Sequence, residues 1–236
     1  MIATFTALLL AHTAADFLMQ TGWMVRRKAH PGVLLLHGAL VLGTAQLAIG
    51  TVTAPALVAL AAAHVAIDAI KTYGGFRSLT AFLLDQAAHL ATLAAVAVYA
   101  PGLWANGAWA GQDWLLPVMA VTAGAILALA GGQYAVGILM QPHSPRIRNT
   151  GLRDGGRQIG LLERGLIFAF ILTSHPIGVG FLIAAKSILR FDTASRDQRS
   201  AEYVIIGTLA SFGWAILAAL ATKGLLDSLP PFALPR

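Results

Sequence analysis

Three histidine–aspartate pairs in the first hundred residues are the part of the sequence best suited to chemistry. The pairs are His12–Asp16, His64–Asp68 and Asp85–His89. A separation of four positions places both side chains of a pair on one face of a helix. Imidazole and carboxylate groups are ligands for zinc, manganese and iron. The spacing therefore predicts a divalent-metal site assembled from several helix faces.

The predicted ligand set also includes a fourth histidine, which lies in another apolar segment. Its members are His12, Asp16, His37, His64, Asp68, Asp85 and His89. This is more than one tetrahedral zinc needs, so either two metals share the site or some members support the ligands or act as a base. We expect a supporting role for His37, which has no acid four positions away. Zinc is the favoured metal, with manganese or iron as alternatives.

Other polar residues beside these pairs have predicted roles in catalysis. Asp16, Asp68 and Asp85 are candidates for the general base that activates a metal-bound water. Gln20 and Gln86 are candidates for orienting that water or a substrate carbonyl.

The composition places these polar pairs in a membrane protein. Hydrophobic residues make up 57% of the 236-residue chain and charged residues only 11%, against about 25% charged in soluble domains. Several apolar runs approach the ~20 residues that cross a bilayer. We predict an all-α, polytopic membrane helical bundle with about six to eight membrane segments. Because the chain has no cysteine, any metal is held by nitrogen and oxygen.

Basic residues in the links between apolar runs predict the topology. The predicted spans cover about 2–25, 32–50, 54–73, 79–100, 114–139 and 202–223, with a split region at 161–190. Lysine and arginine concentrate in the links 26–28, 71–77 and 146–157. The positive-inside rule puts these links in the cytoplasm and the N-terminus outside, in a bacterial inner membrane. The net charge of +6 is thus expected to reflect cytoplasmic loops and not nucleic-acid binding.

The split region contains the sequence SHPIGVG at 174–180, where a proline and two glycines interrupt the apolar run. A single crossing here would place Lys186 outside, which contradicts the charge rule. We therefore predict a re-entrant or short helical hairpin at about 161–190, with one long kinked helix as the alternative. Residues 1–100 are predicted to form a four-helix unit that holds the His/Asp site. Residues 101–236 are predicted to form a second unit with basic cytoplasmic loops.

The second half has its own charged set near predicted cytoplasmic helix ends, namely Glu163, Arg164, Lys186, Arg190 and Glu202. The favoured interpretation is that these residues are interfacial anchors that extend toward water. The alternative is an anion site in which Arg164, Lys186 and Arg190 hold a phosphate or a lipid head group.

Six motifs together resemble a family of bacterial polytopic inner-membrane proteins of unknown function. They are HxxxDFxxQ at 12–20, HxxxD at 64–68, DQxxH at 85–89, ERxLI at 163–167, AAKSILRF at 184–191 and AEY at 201–203. The resemblance covers nearly the whole chain and implies membership but no reaction. More loosely, helix-borne His/Asp pairs near the cytosolic face look like membrane-bound metal-dependent hydrolases. The PSGH-type motif of lipid phosphatases is absent.

The expected function is hydrolysis of a lipid-linked or membrane-embedded substrate by metal-activated water. A cation or proton transporter would use the same residue types, although the outer halves of the spans are nearly all apolar. A non-catalytic subunit of a larger membrane complex, or an oligomer, is a third possibility. Structural His–Asp hydrogen bonds and bis-histidine haem ligation are further alternatives. Haem is disfavoured because it does not require aspartates at helical spacing.

The topology is testable by single-cysteine labelling, since the chain contains no cysteine. Arg27→Cys lies in a basic link and should resist a membrane-impermeant thiol reagent added outside intact cells. Asn106→Cys, in a link without lysine or arginine, should react. Strong labelling at position 27 with none at 106 would invert the topology.

Overall fold

The protein is all-helical in the computed structural model, which describes residues 1–146, 154–194 and 198–230. The predicted all-α class is confirmed in these ranges. The α-helices are α1 (Ile2–Ala14), α2 (Gly22–Arg27), α3 (Pro31–Ile49), α4 (Pro55–Tyr73), α5 (Leu79–Tyr99), α6 (Leu115–Ile126), α7 (Gly132–Met140), α8 (Gly155–Leu172), α9 (Ile177–Ala194) and α10 (Gln198–Asp227). Two π-helical turns follow α1 and α6, at Ala15–Met19 and Leu127–Gly131, and a 3₁₀ turn covers Gln141–Arg146.

Within the described residues, six helical stretches are long and apolar enough to cross a membrane, as a polytopic bundle requires. They are Ile2–Met19, Pro31–Ile49, Pro55–Tyr73, Leu79–Tyr99, Leu115–His143 and Gln198–Asp227. Local sequence explains several helix starts. Pro31 and Pro55 occupy the first turn of α3 and α4, where a missing N–H costs nothing. Ser78 caps α5 by accepting from the Ala81 N–H.

The first span ends earlier than the predicted boundary at residue 25. Gln20 has an extended backbone conformation, and the Thr21 hydroxyl then caps α2 by accepting from the Met24 N–H. The predicted boundary was wrong because the apolar residues continue past Thr21, whose side chain caps a new helix instead of continuing the first one. The result is a helix break directly after Asp16.

The split region folds as a hairpin of two helices and not as one long kinked helix. Helix α8 ends at Leu172, and α9 begins at Ile177 after a turn in which Ser174 has a positive φ of 61°. The Lys186 ammonium lies 2.6 Å from the Glu163 carboxylate, so the chain after the turn returns alongside the chain before it. Its predicted re-entry into the membrane stays a prediction.

The chain divides into two compact units, with boundaries inside helical stretches. Unit 1 comprises residues 1–126 and 224–236, and unit 2 comprises residues 127–223. These units are defined by contacts between residues, which do not show whether either unit folds independently. The domain boundary predicted near residue 100 therefore stays a prediction. In unit 1, α1 packs against α3, α5 and α6, while α4 packs against α3 and α5.

One end of unit 1 is filled by apolar side chains. The buried core there includes Leu8, Ile49, Leu57 and Trp104. The Thr4 hydroxyl fixes the start of α1 by donating to the carbonyl of Pro101 at 2.9 Å. The opposite end carries the links around residues 20–30 and 74–78.

A close helix contact sets the distance between α3 and α4. A Cβ added at Gly38 would lie 2.4 Å from Val65 Cγ2. His37 and His64 are the neighbours of these two residues in sequence. Glycine at position 38 therefore lets the two histidine-bearing helices approach each other.

We predict that Gly38→Ala lowers stability, although alanine normally favours a helix by ~0.5–1 kcal/mol over glycine. The added methyl group overpacks the contact with Val65, at a cost of ~1–3 kcal/mol. The melting temperature of purified protein in detergent should fall and recover in the double variant Gly38→Ala/Val65→Ala. Gly43→Ala is the control, because nothing lies within 4 Å of a Cβ there. An equal response at positions 38 and 43 would contradict the packing argument.

Candidate metal centre

All seven predicted ligands lie in unit 1, and their side chains form one buried cluster, here called the His/Asp cluster. Helix α1 and its π-helical turn supply His12 and Asp16, α3 supplies His37, α4 supplies His64 and Asp68, and α5 supplies Asp85 and His89. Six of these residues are at most 7% exposed, and the Asp16 side chain is 9% exposed. Four separate helical segments therefore bring their polar faces to one place.

The centre of the cluster has the dimensions of a metal coordination shell. His37 Nε2 and His64 Nε2 are 3.2 Å apart, and Asp16 Oδ1 lies 3.3 Å from each of them. Asp68 Oδ2 lies 3.4 Å from His37 Nε2 and 3.6 Å from His64 Nε2. In a tetrahedral zinc site with bonds of about 2.0–2.1 Å, neighbouring ligand atoms are separated by about 3.3–3.4 Å. Each of the two triangles that share the His37–His64 edge matches one face of such a tetrahedron.

His37 is thus more central than its sequence context predicts. It has no acid at helical spacing, yet its Nε2 atom is within 3.4 Å of two carboxylates. The carboxylates come from α1 and α4, so the relevant partners are distant in sequence. The expected supporting role does not match this position.

The remaining histidines pack against His64. The rings of His64 and His89 are stacked at 3.9 Å between centroids, and the His12 ring lies 5.2 Å from that of His89. His89 Nε2 faces Asp68 Oδ1 at 3.8 Å and Asp85 Oδ1 at 3.7 Å. This arrangement places a second set of candidate ligand atoms beside the first.

In the part of the chain that the structure describes, three groups of three residues have ligand atoms close enough to hold a metal ion. They are His12/Asp16/His64, His37/His64/Asp68 and Asp68/Asp85/His89. His64 and Asp68 each belong to two groups, so the groups are continuous. Three protein ligands with one open position are typical of catalytic zinc.

Several atoms of the cluster are buried without a hydrogen-bond partner. Asp16 Oδ1, Asp85 Oδ1 and His89 Nε2 are among them. An unsatisfied buried polar atom costs about 1–3 kcal/mol. A bound metal ion would give these atoms the partner that the protein does not provide.

Among the described residues, two lysines outside the predicted ligand set contact the cluster. Lys28 Nζ lies 2.7 Å from Asp68 Oδ2, and Lys71 Nζ lies 2.7 Å from Asp85 Oδ2. The sequence indicates a position near the cluster for Lys71, because it follows Asp68 by three positions on the same helix. The sequence gives no such indication for Lys28, because a lysine in a basic link is also explained by the topology alone.

The two predicted orienting glutamines differ in their contacts. Gln86 Nε2 donates to Asp16 Oδ2 at 3.4 Å and to Asp85 Oδ2 at 3.3 Å, so it connects α5 to the end of α1. Gln20 stands at the helix break after the π-helical turn, and its Nε2 atom is buried without a hydrogen-bond partner. Their predicted role toward water or substrate stays a prediction.

The predicted anion site of the second half lies in unit 2, where two of its members have protein partners. The buried Arg164 donates to Ser211 Oγ at 3.1 Å and to the Leu129 carbonyl at 3.0 Å. Lys186 pairs with Glu163, and the side chain of Arg190 lies outside the described residues. Arg164 therefore differs from the interfacial anchor that we expected, because its charge is held inside unit 2.

A comparison with known families places the cluster in a defined segment. Residues 4–113 match the family model described as "Protein of unknown function (DUF3307)". This segment, just under half of the chain, is similar to that family. The match agrees with the predicted resemblance to a family of unknown function, whereas the predicted motifs between residues 163 and 203 lie beyond it. No curated protein and no solved structure matches the chain significantly.

The matched DUF3307 segment contains all seven candidate ligands and both lysines. Unit 1 and the family match thus share the same chemistry-bearing residues. The family description supplies no activity, so the function has to be inferred from the cluster itself.

We predict that His64→Ala weakens zinc binding more than His12→Ala does, because His64 belongs to two of the three ligand groups. The loss for His64→Ala should be at least about tenfold, the lower range for disturbing a metal site. Competition with a zinc-sensitive dye in detergent would measure both affinities. His175→Ala changes an exposed histidine in the hairpin turn and should bind zinc as wild type does. Equal affinities in all four proteins would contradict the assignment.

Proposed function

We propose that this protein is a metal-dependent hydrolase of the bacterial inner membrane that acts on a lipid-linked or membrane-embedded substrate. The observation that carries the proposal is the pair of ligand triangles on the His37–His64 edge, with sides of 3.2 to 3.6 Å. Hydrogen bonding alone does not require nitrogen and oxygen atoms from three helical segments at these mutual distances. A divalent metal, most simply zinc, accounts for them.

The residues of the cluster can support hydrolysis by activated water. A metal lowers the pKa of its bound water, and a carboxylate accepts the proton. The water oxygen then bonds to the electrophilic atom of the substrate, the bond to the leaving group breaks, and the leaving group takes up a proton. Asp16 is the preferred candidate for the base, because one oxygen of Asp68 and one of Asp85 each already contact a lysine ammonium at 2.7 Å.

The apolar end of unit 1 favours hydrolysis over transport. Beyond His12 and His64 lies a small cavity whose other lining residues are apolar, among them Leu8, Val41 and Leu93. The buried apolar core around Ile49 and Trp104 lies beyond this cavity, beside the first residues of α1. A proton or cation pathway needs polar groups on both sides of the cluster. This part of the described chain supplies mainly apolar ones, and the buried hydroxyls of Thr4 and Thr6 donate to backbone carbonyls.

Access is proposed from the cytoplasmic side. Lys28 belongs to the basic link 26–28 and contacts Asp68 directly, so the cluster lies at the basic-link end of unit 1. The positive-inside rule assigns that end to the cytoplasm and the N-terminus to the outside. A substrate would therefore meet the metal from the cytosolic leaflet.

Hydrolysis is testable without a known substrate, because it transfers a water oxygen to a product. Zinc-loaded protein in vesicles of bacterial lipid extract would be incubated in ¹⁸O-labelled water. We expect ¹⁸O to enter a product, detected by mass spectrometry, and to fall at least tenfold in Asp16→Asn. The control variant His175→Ala should retain the wild-type rate.

A transport assay on the same preparation separates the alternatives. Vesicles loaded with a pH-sensitive or zinc-sensitive dye would report cation movement. The hydrolase proposal would be overturned by equal ¹⁸O incorporation in wild type and Asp16→Asn. It would also be overturned if wild type shows no ¹⁸O incorporation but gives a dye response that Asp16→Asn loses.

A further inference from the structure

We propose that Lys28 and Lys71 bind a phosphoryl group of the substrate beside the metal, so that the substrate class is a phosphate ester. This inference rests on the proposed function and deepens it. Neither lysine is among the predicted ligands, and the anion site predicted from the sequence lies in unit 2. The new site is in unit 1, at the basic-link end of the His/Asp cluster.

The two aspartates that contact lysine also face histidines of the cluster. Asp68 and Asp85 each present Oδ2 to a lysine ammonium at 2.7 Å. Their Oδ1 atoms face His89 Nε2, at 3.8 and 3.7 Å. Asp68 Oδ2 also lies 3.4 Å from His37 Nε2, so Lys28 and one of the two ligand triangles share this atom. The triangle with Asp16 Oδ1, and the group formed by His89 Nε2 with the two Oδ1 atoms, can each hold a metal while both lysines keep their contacts. The two ammonium groups then lie next to the metal.

The lysines also occupy the accessible edge of the cluster. Their side chains are 17% and 25% exposed, against 2% and 4% for the aspartates that they contact. The Tyr73 hydroxyl at the end of α4 donates to the Ala29 carbonyl at 3.3 Å, which holds the Lys28 link beside the helix that carries Lys71. An ammonium group has three N–H donors. After one donor serves an aspartate, each lysine retains donors for a substrate anion.

The charge of the site favours a phosphoryl group over a neutral substrate. With neutral histidines, three aspartates against two lysines and one divalent metal leave one positive charge, and a second metal leaves three. A phosphate monoester carries about −1.5 to −2 charges at pH 7. With two metals it would lower the excess from three charges to about one, at membrane depth where an uncompensated charge is unfavourable. An uncharged carboxylic ester or amide would leave the excess in place.

The reaction implied is hydrolysis of a phosphate ester. Water activated at the metal would form a bond from its oxygen to phosphorus, and the bond between phosphorus and the alcohol oxygen would break. The alcohol oxygen would take up the proton that the carboxylate accepted from water, and the two ammonium groups would balance the charge of the inorganic phosphate until it dissociates. No oxidant or further reactant is needed.

Protection of lysines from chemical modification tests this site in the wild-type protein. Zinc-loaded protein in phosphatidylcholine nanodiscs would be reductively methylated with and without inorganic phosphate, and in a second arm in nanodiscs that contain phosphatidic acid. Mass spectrometry should show slower modification of Lys28 and Lys71 in at least one arm, with Lys223 of unit 2 unchanged. Protection only by phosphatidic acid identifies a lipid source, and protection only by free phosphate identifies a soluble one. No protection in either arm overturns the inference.

Variants separate this inference from the proposed function. Lys28→Gln and Lys71→Gln should retain zinc, because every candidate ligand atom remains, and should bind inorganic phosphate at least tenfold more weakly by calorimetry. Arg26→Gln removes a neighbouring positive charge and should bind as wild type does. Zinc-loaded lysine variants with wild-type phosphate affinity would refute the lysine site alone. Wild-type protein that binds no zinc would refute both proposals.

Discussion

The burial of three carboxylates and four imidazoles among membrane-length helices is the constraint on which unit 1 depends. Insertion of one ionisable side chain near a helix centre costs about 2.5–3.5 kcal/mol, so these groups have to compensate one another. In the structure the side chains of four helical segments converge, so that the carboxylates, imidazoles and lysines contact one another. Gly38 allows α3 and α4 to approach, a π-helical turn carries Asp16, and Lys28 and Lys71 reach back from the helix ends to the carboxylates.

Unit 2 also contains a buried charged side chain, Arg164, whose guanidinium is held by hydrogen bonds. The buried Arg164 donates to the Leu129 carbonyl, and Trp214 Nε1 donates to the Leu127 carbonyl at 2.8 Å. Both carbonyls belong to the second π-helical turn, in which the usual helical hydrogen-bond pattern shifts by one residue. In each unit, therefore, a π-helical turn lies where a buried polar or charged side chain has to be accommodated.

The sequence predicted what depends on local periodicity. Four-residue spacing identified His12–Asp16, and apolar run lengths located the ends of α3, α4 and α5 to within one residue, whereas α10 extends four residues beyond the predicted span at each end. It did not predict what depends on packing between helices, namely the central position of His37 and the contacts of Lys28. A lysine in a basic link gives the same topology signal whether it extends to water or folds back onto Asp68, and only the three-dimensional arrangement distinguishes the two.

The central claim is that the His/Asp cluster coordinates a metal, and X-ray absorption at the zinc edge of purified, zinc-loaded protein tests it most directly. We predict a four-coordinate shell of nitrogen and oxygen atoms at about 2.0–2.2 Å, with the outer-shell scattering of at least two imidazoles, and loss of that imidazole signal in a His37→Ala/His64→Ala variant. Zinc surrounded by six oxygen atoms without imidazole scattering, or the same spectrum in the variant, would contradict the account.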